Sequence, residues 1–192
     1  MRAQLLILYA ALALHSPHAA LAWQADRHPE STQEHAVSKE FEEKVKAYIT
    51  LQKKLEGELP GLKSTEDAAE IAAHQRALSA KIMEARKASM QGELFTPAVT
   101  TQFREIIRRT FQEPGGQSVR RTVTEGDAPK PIPVKVNVLY PADSPVHTTP
   151  PTLLNRLPAL PMELAYRIVG RTFVLLDNKT NLIVDFIPDA VP

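Results

Sequence analysis

The chain has 192 residues, of which 43% are apolar and 23% charged, and this is enough for one ordinary domain with a helical extension. Lys and Arg together number 23 and Asp and Glu number 22, so the chain lacks the basic excess with which nucleic-acid-binding proteins displace counterions. The chain contains no cysteine, which excludes disulfides, thiolate metal sites and a Cys nucleophile.

Residues 1–22 have the layout of a secretory signal peptide. Arg2 supplies a positive start, Leu5 to Leu14 form an apolar run of ten residues, and Ala20-Leu21-Ala22 places small residues before a cleavage site. The run is shorter than the ~20 residues that a membrane-spanning helix needs. We therefore predict cleavage after Ala22 and a mature protein that is exported to the periplasm without an integral membrane span.

After a polar leader at 23–31, helical periodicity extends over residues 32–112. Two stretches place one residue per helical turn on a single stripe, as in packed antiparallel helices, and Pro60-Gly61 separates them. This predicts a helical hairpin whose first helix is capped by Ser31 or Thr32 and whose second helix runs from a Ser64 cap to Gly92. The stripes are Phe41, Val45, Tyr48, Gln52, Leu55 and Leu59 in the first helix, and Ile71, Gln75, Leu78, Ile82, Ala85 and Ser89 in the second.

Gln52 and Gln75 interrupt the two apolar stripes. In an antiparallel pair that turns near Gly61 they would lie at adjacent levels, and we expect them to fix the register by hydrogen bonding. Two apolar stripes with polar interruptions could also pack against a second copy of the molecule.

A third helix is predicted from Thr96 as cap and Pro97 as first helical residue. Its apolar face continues to Gln112 and consists of Val99, Phe103, Ile106, Ile107 and Phe111.

The second half of the chain comprises a linker at 113–133 and a small proline-rich β unit at 134–192. Nine of the 16 prolines lie between Pro129 and Pro161, a density that is incompatible with helix interiors. Alternation over Val134 to Tyr140 predicts a strand, and a single helical turn is expected within 150–157. Strands are also predicted at 166–169, 172–176 and 182–187, with turns at Gly170 and 177–180, and the tail from 189 is expected to contribute little. The fold class predicted is α+β, with a helical hairpin and third helix before a small antiparallel sheet that ends in a β-hairpin.

Two stretches, 85–104 (ARKASMQGELFTPAVTTQFR) and 166–192 (YRIVGRTFVLLDNKTNLIVDFIPDAVP), resemble a family of uncharacterised exported bacterial proteins, and this resemblance implies no activity. The terminal hairpin is also loosely similar to one that closes small periplasmic proteins of the nickel and cobalt homeostasis type. Gly170, Asp177 and Asp185 fit that pattern. A likeness of this kind concerns the fold and transfers no function.

The weak candidates for metal ligands are His28 and His35, which lie in an acidic stretch with Asp26, Glu30 and Glu34. Neither histidine has a partner histidine four residues away, and zinc sites need three or four converging ligands. A solvated polar leader is the favoured interpretation.

A cluster of arginine residues in and after the third helix is the candidate interaction site. Arg104 and Arg108 are one turn apart on the third helix, where Glu105 and Arg109 can also pair. Acidic residues nearby favour an ordinary helix surface, but in the cell envelope such a face could bind lipid phosphates, anionic glycans or acidic protein surfaces. The site consists of Arg104, Arg108, Arg109, Arg120 and Arg121.

The sequence shows neither a catalytic constellation nor a cofactor motif. The leading hypothesis is therefore a non-enzymatic exported protein that acts in the bacterial envelope by binding an envelope protein or a second copy of itself. The alternative is a periplasmic metal- or small-ligand-binding homeostasis protein, suggested by the hairpin similarity and the histidine-containing leader.

Overall fold

The computed structural model describes residues 29–62, 67–113, 134–141 and 147–192. Helices dominate the first part of these ranges and a small antiparallel sheet the second, so the protein has the predicted α+β fold. The predicted signal peptide at 1–22 and most of the predicted linker at 113–133 lie outside the described residues.

Three long helices form the N-terminal part: α1 (Pro29–Gly57), α2 (Ala68–Ala85) and α3 (Pro97–Gln112). The bounds of α3 are as predicted, since Thr96 caps it by accepting the Val99 amide at 3.4 Å and Pro97 is its first residue. No helix in the described part of the chain combines the length and hydropathy needed to span a bilayer.

The predicted ends of the first two helices were wrong. α1 begins at Pro29, before the proposed caps Ser31 and Thr32, because proline is well suited to the first helical position. Asp67 caps α2 by accepting the Ala69 amide at 2.8 Å, whereas Ser64 lies outside the described residues.

α2 ends at Ala85 rather than at Gly92 because Arg86 turns inward at that point. The Arg86 side chain is 5% exposed, its Nη2 donates to the Val184 carbonyl at 3.1 Å, and its guanidinium lies 5.1 Å from the centre of the Tyr48 ring. Gly92 instead takes a φ of 89° in the following loop, a conformation that glycine adopts without strain.

The sheet has four antiparallel strands in the order β1-β2-β3-β4. The edge strand β1 (His147–Thr148) is followed by the short helix α4 (Pro151–Leu154), which is the predicted helical turn. β2 (Leu164–Val169), β3 (Thr172–Asp177) and β4 (Ile183–Ile187) are the three predicted C-terminal strands, with a register shift between Leu175 and Leu176.

The expected strand from Val134 to Tyr140 is reduced to one bridge, between Leu139 and Leu182. Asn137 has a φ of 64°, which breaks the alternation on which the prediction depended. The segment still lies along β4, because the Asn137 amide donates to the Ile183 carbonyl and the Ile183 amide donates to the Val138 carbonyl.

An aromatic cluster fastens α1 and α3 to the sheet. Phe41 and Phe103 lie 5.1 Å apart between ring centres, and Tyr166 and Phe173 lie 5.2 Å apart on the neighbouring strands β2 and β3. The two pairs are joined because the Phe103 ring is 6.1 Å from that of Tyr166. Such pairs contribute about 0.5–1.5 kcal/mol each beyond their burial, so the helices and the sheet share one core.

The predicted stripe of α1 is confirmed from Phe41 to Leu55, and Leu59 lies beyond the end of the helix. The predicted stripe of α2 is wrong in part, because it buries Leu78 and Ile82 but leaves Gln75 and Ala85 exposed. Gln52 is fully buried, so the two glutamines do not fix the register of a hairpin.

The C-terminal tail contributes more than expected. Ala190 and Val191 are buried at 6% and 3% exposure. Their amides donate to the Arg171 carbonyl at 2.9 and 3.0 Å, so the tail closes over the β2–β3 turn.

Candidate functional site

The arginines of α3 are organised around one carboxylate. Glu105 accepts two hydrogen bonds from Arg108, at 2.9 and 2.7 Å, and one from Arg109. These bonds lower the pKa of Glu105 to about 2, so its charge persists under any physiological condition. Glu105 therefore holds the Arg108 and Arg109 guanidinium groups together on the surface.

Arg104 does not join that group. Its Nη2 donates to the Pro188 carbonyl at 2.8 Å, so this side chain ties α3 to the C-terminal segment. Arg120 and Arg121 lie outside the described residues. The structure thus brings together two of the five arginines singled out in the sequence.

A groove of about 700 Å³ runs between the first half of α1 and α3. Val37 and Ile106 supply apolar surface, and Arg109 and Glu105 belong to its charged rim. Three of the ten lining residues are apolar and four are charged, and surfaces that bind another protein also combine apolar and charged groups. The lining residues are Gln33, Glu34, Val37, Ala98, Thr101, Gln102, Glu105, Ile106, Arg109 and Arg156.

Gln102 presents an unsatisfied hydrogen-bonding group beside this groove. Its Nε2 lies 3.4 Å from the Glu34 carbonyl and 3.5 Å from the Ser38 Oγ, both long for a hydrogen bond. Its Oε1 is buried and has no partner within the described residues. This unpaired oxygen carries the free-energy cost of its desolvation.

Arg156 is a groove residue that the sequence analysis missed. Its two terminal nitrogens donate to the two Glu113 oxygens at 2.6 and 2.7 Å, and this paired geometry is specific to arginine and a carboxylate. The contact joins the end of α3 to the residues that follow α4. Arg156 is 43 residues from Glu113, and no local spacing in the sequence could have indicated the contact.

The histidine-containing leader gives no metal site in the described part of the chain. His35 lies on an exposed face of α1, and His28 lies outside the described residues. No group of three or more potential metal ligands occurs among the residues that the structure describes. The metal-binding alternative therefore stays a prediction from the sequence.

Two buried aspartates are the second feature that the sequence analysis did not assign. Asp177 is fully buried, and its Oδ2 accepts from the Tyr48 hydroxyl and from the Gln52 Nε2, both at 2.6 Å. Burial is the largest cause that raises the pKa of Tyr48, with the Asp177 charge next. Tyr48 therefore stays protonated and donates, and α1 is locked to the β3–β4 turn.

Asp185 performs a similar role in the middle of β4, opposite Leu175. Its Oδ2 accepts the Leu94 and Phe95 amides, both at 2.8 Å, and its Oδ1 accepts the Gly92 amide at 3.0 Å and the Phe186 amide at 2.8 Å. Four amides thus surround one fully buried carboxylate. The sequence carries a signal for Asp185, which is a charged residue within an otherwise apolar stretch, whereas Asp177 begins the polar run 177–181 and looks like an ordinary turn residue.

These observations define an α+β protein with a charged groove between two helices and a sheet fixed by buried carboxylates. The chain matches no protein-family model, and no curated protein or solved structure shows significant similarity to it.

Proposed function

We propose that this is an exported, non-enzymatic protein of the bacterial envelope that binds an acidic segment of a protein partner in the groove between α1 and α3. The observation that carries the proposal is the groove itself, which combines apolar surface from Val37 and Ile106 with charged groups at its rim. A protein segment can supply both apolar side chains for that surface and a carboxylate for the rim.

Arg109 is the group that favours an acidic partner. Among the charged residues that line the groove, Arg109 and Arg156 balance Glu34 and Glu105. Arg156 is already paired with Glu113. Arg109 contacts Glu105 through Nε, its side chain is 63% exposed, and its Nη groups make no hydrogen bond within the described residues. They are therefore free to pair with a carboxylate of the partner.

Export is supported by the signal-peptide layout of residues 1–22. The test is fractionation of cells that express the tagged protein, with N-terminal sequencing of the mature form. We expect a periplasmic protein that begins at Trp23, whereas a cytoplasmic protein that retains Met1 would contradict this part of the proposal.

The groove is tested by photocrosslinking in cells, with a benzophenone amino acid in place of Thr101, which lines the groove. The double variant Arg108→Glu/Arg109→Glu reverses the charge of both arginines that Glu105 holds, of which Arg109 lines the groove. Arg76→Glu makes the same kind of change at an exposed position of α2 and serves as the control.

We expect one stoichiometric partner, crosslinked through an acidic segment, whose yield falls about tenfold or more in the double variant and is unchanged in the control. An equal loss in the control, or a crosslink that survives charge reversal of the rim, would refute the assignment of this groove.

A further inference from the structure

A second groove, lined by a separate set of residues, points to a different partner. It has a volume of about 380 Å³ and lies between α1 and the segment that precedes β2. Phe41, Val45 and Ile49 form its α1 wall, and Ala159 and Pro161 form the other. The groove is mainly apolar and is independent of the α1–α3 groove.

An exposed methionine stands beside this groove. Met162 is 87% exposed and follows Pro161 in a turn that is closed by the Leu164 amide and the Pro161 carbonyl at 3.0 Å. The Met162 carbonyl accepts from the Asn178 side chain at 2.9 Å. These two hydrogen bonds fix the backbone on either side of Met162, and its side chain is exposed to solvent at the turn.

The turn is also attached to α1. Glu163 forms an ion pair with Lys53 at 3.2 Å, which places Met162 near the Lys53 end of the groove. Met162 and the apolar groove are thus neighbours on the surface. A two-fold symmetric dimer requires this arrangement, because each copy must supply both the inserted side chain and the groove that receives it.

The charges at the two ends of the groove are complementary under such a rotation. Glu42 lines one end and Lys53 the other, about 16 Å apart along α1 at the rise of an α-helix. Lys46 lies between them and, in the antiparallel register that pairs Glu42 with Lys53, is opposite Ile49 of the other copy. When two copies meet antiparallel about the middle of the groove, Glu42 of each copy faces Lys53 of the other. The same rotation carries Met162 to the Glu42 end of the opposite groove, where Phe41 and Val45 form the wall.

We propose that a second copy of this chain occupies this face, in an isologous dimer in which Met162 of each copy enters the apolar groove of the other. Methionine suits such a contact because its flexible thioether adapts to irregular apolar surfaces. The proposal does not depend on the acidic partner, since the two grooves share no lining residue.

The first test is sedimentation velocity of the mature protein over a range of concentrations. We expect a reversible monomer–dimer equilibrium whose dissociation constant rises about 100-fold in Met162→Glu, because the contact occurs twice in the dimer. The control is Met90→Glu, since Met90 is 76% exposed on the loop after α2 and makes no part of the groove. Circular dichroism of each variant checks that it is folded.

The second test distinguishes the proposed dimer geometry from nonspecific self-association. Glu42→Lys alone and Lys53→Glu alone each set like charges opposite one another and weaken the homodimer. An equimolar mixture of the two variants restores both opposite-charge contacts, so we expect a heterodimer that is tighter than either homodimer.

A wild-type protein that stays monomeric at 1 mM would overturn the proposal. The same conclusion would follow from a dimer that is insensitive to Met162→Glu, from an equal loss in Met90→Glu, or from a mixture that associates no better than its components.

Discussion

Asp185→Asn tests whether the buried carboxylate, rather than apolar packing alone, fastens the sheet to the loop before α3. Asp185 accepts four amide hydrogen bonds, two on each oxygen. An asparagine in the same position keeps one oxygen as an acceptor and places an NH₂ group in place of the other. Two amides then face a donor and lose their partner.

The expected cost follows from that count. A buried donor without a partner costs about 1–3 kcal/mol, so two such donors lower the free energy of unfolding by roughly 2–6 kcal/mol, or about 4 kcal/mol at the centre of the range. This is a large fraction of the ~5–15 kcal/mol by which a domain is stable. For a chain of this size it corresponds to a fall in Tm of about 8–16 °C.

The measurement is urea denaturation of the mature protein, followed by far-UV circular dichroism. Asp189→Asn is the matched control, because that side chain is 80% exposed and lies 3.7 Å from Arg171 in a surface ion pair. We expect this control to remain within about 0.5 kcal/mol of the wild type. If Asp185→Asn cost no more than Asp189→Asn, the four amides would not depend on the carboxylate and our account of the hairpin would be wrong.

Two further predictions concern ionisation. Burial raises the pKa of Tyr48 and of Tyr166 well above that of a free tyrosine, so above pH ~10 only the unfolded chain loses these protons and stability falls as the pH rises. Tyr48→Phe and Tyr166→Phe should each make that decline shallower, by an amount that approaches about 1.4 kcal/mol per pH unit well above pH 10. The measurement is urea unfolding between pH 9.5 and 11, and an unchanged slope would contradict the prediction. The pKa of Glu105 is lowered to about 2, first by Arg108 and then by Arg109, so the interaction holds above that pH and is lost as the pH falls through it. Carboxyl NMR titration should give that value in the wild type and a higher one in Arg108→Gln, and equal values would argue against the pairing.

The helices could be predicted from the sequence because their signals are local. Thr96 and Pro97 mark the start of α3, and the apolar stripe of α1 gives its buried face. The errors arose where a distant residue decides the local conformation. α2 ends early because Arg86 turns inward to the Val184 carbonyl, 98 residues away, and no pattern within the helix indicates this contact.

The candidate site was predicted in part for the same reason. Arg108 and Arg109 are one turn from Glu105, and this spacing indicates their pairing on a helix surface. The other wall of the groove comes from α1, and Arg156 enters from a segment 43 residues beyond Glu113. Such an arrangement depends on tertiary packing, which cannot be inferred from the residue spacing within one helix.

The buried aspartates explain how an almost wholly apolar hairpin keeps a single register. β3 and β4 are buried on both faces for most of their length, so the usual alternation of apolar and polar side chains cannot prevent a slip by one residue. A slip of β4 would move the Asp185 carboxylate away from the amides of Gly92, Leu94 and Phe95 and leave a buried charge poorly paired, at a cost of several kcal/mol. Asp177 opposes a slip in the same way at the β3–β4 turn, because a shift would break its hydrogen bonds with Tyr48 and Gln52. In a chain without cysteine, hydrogen bonds to these two carboxylates therefore fix the register that apolar packing leaves open.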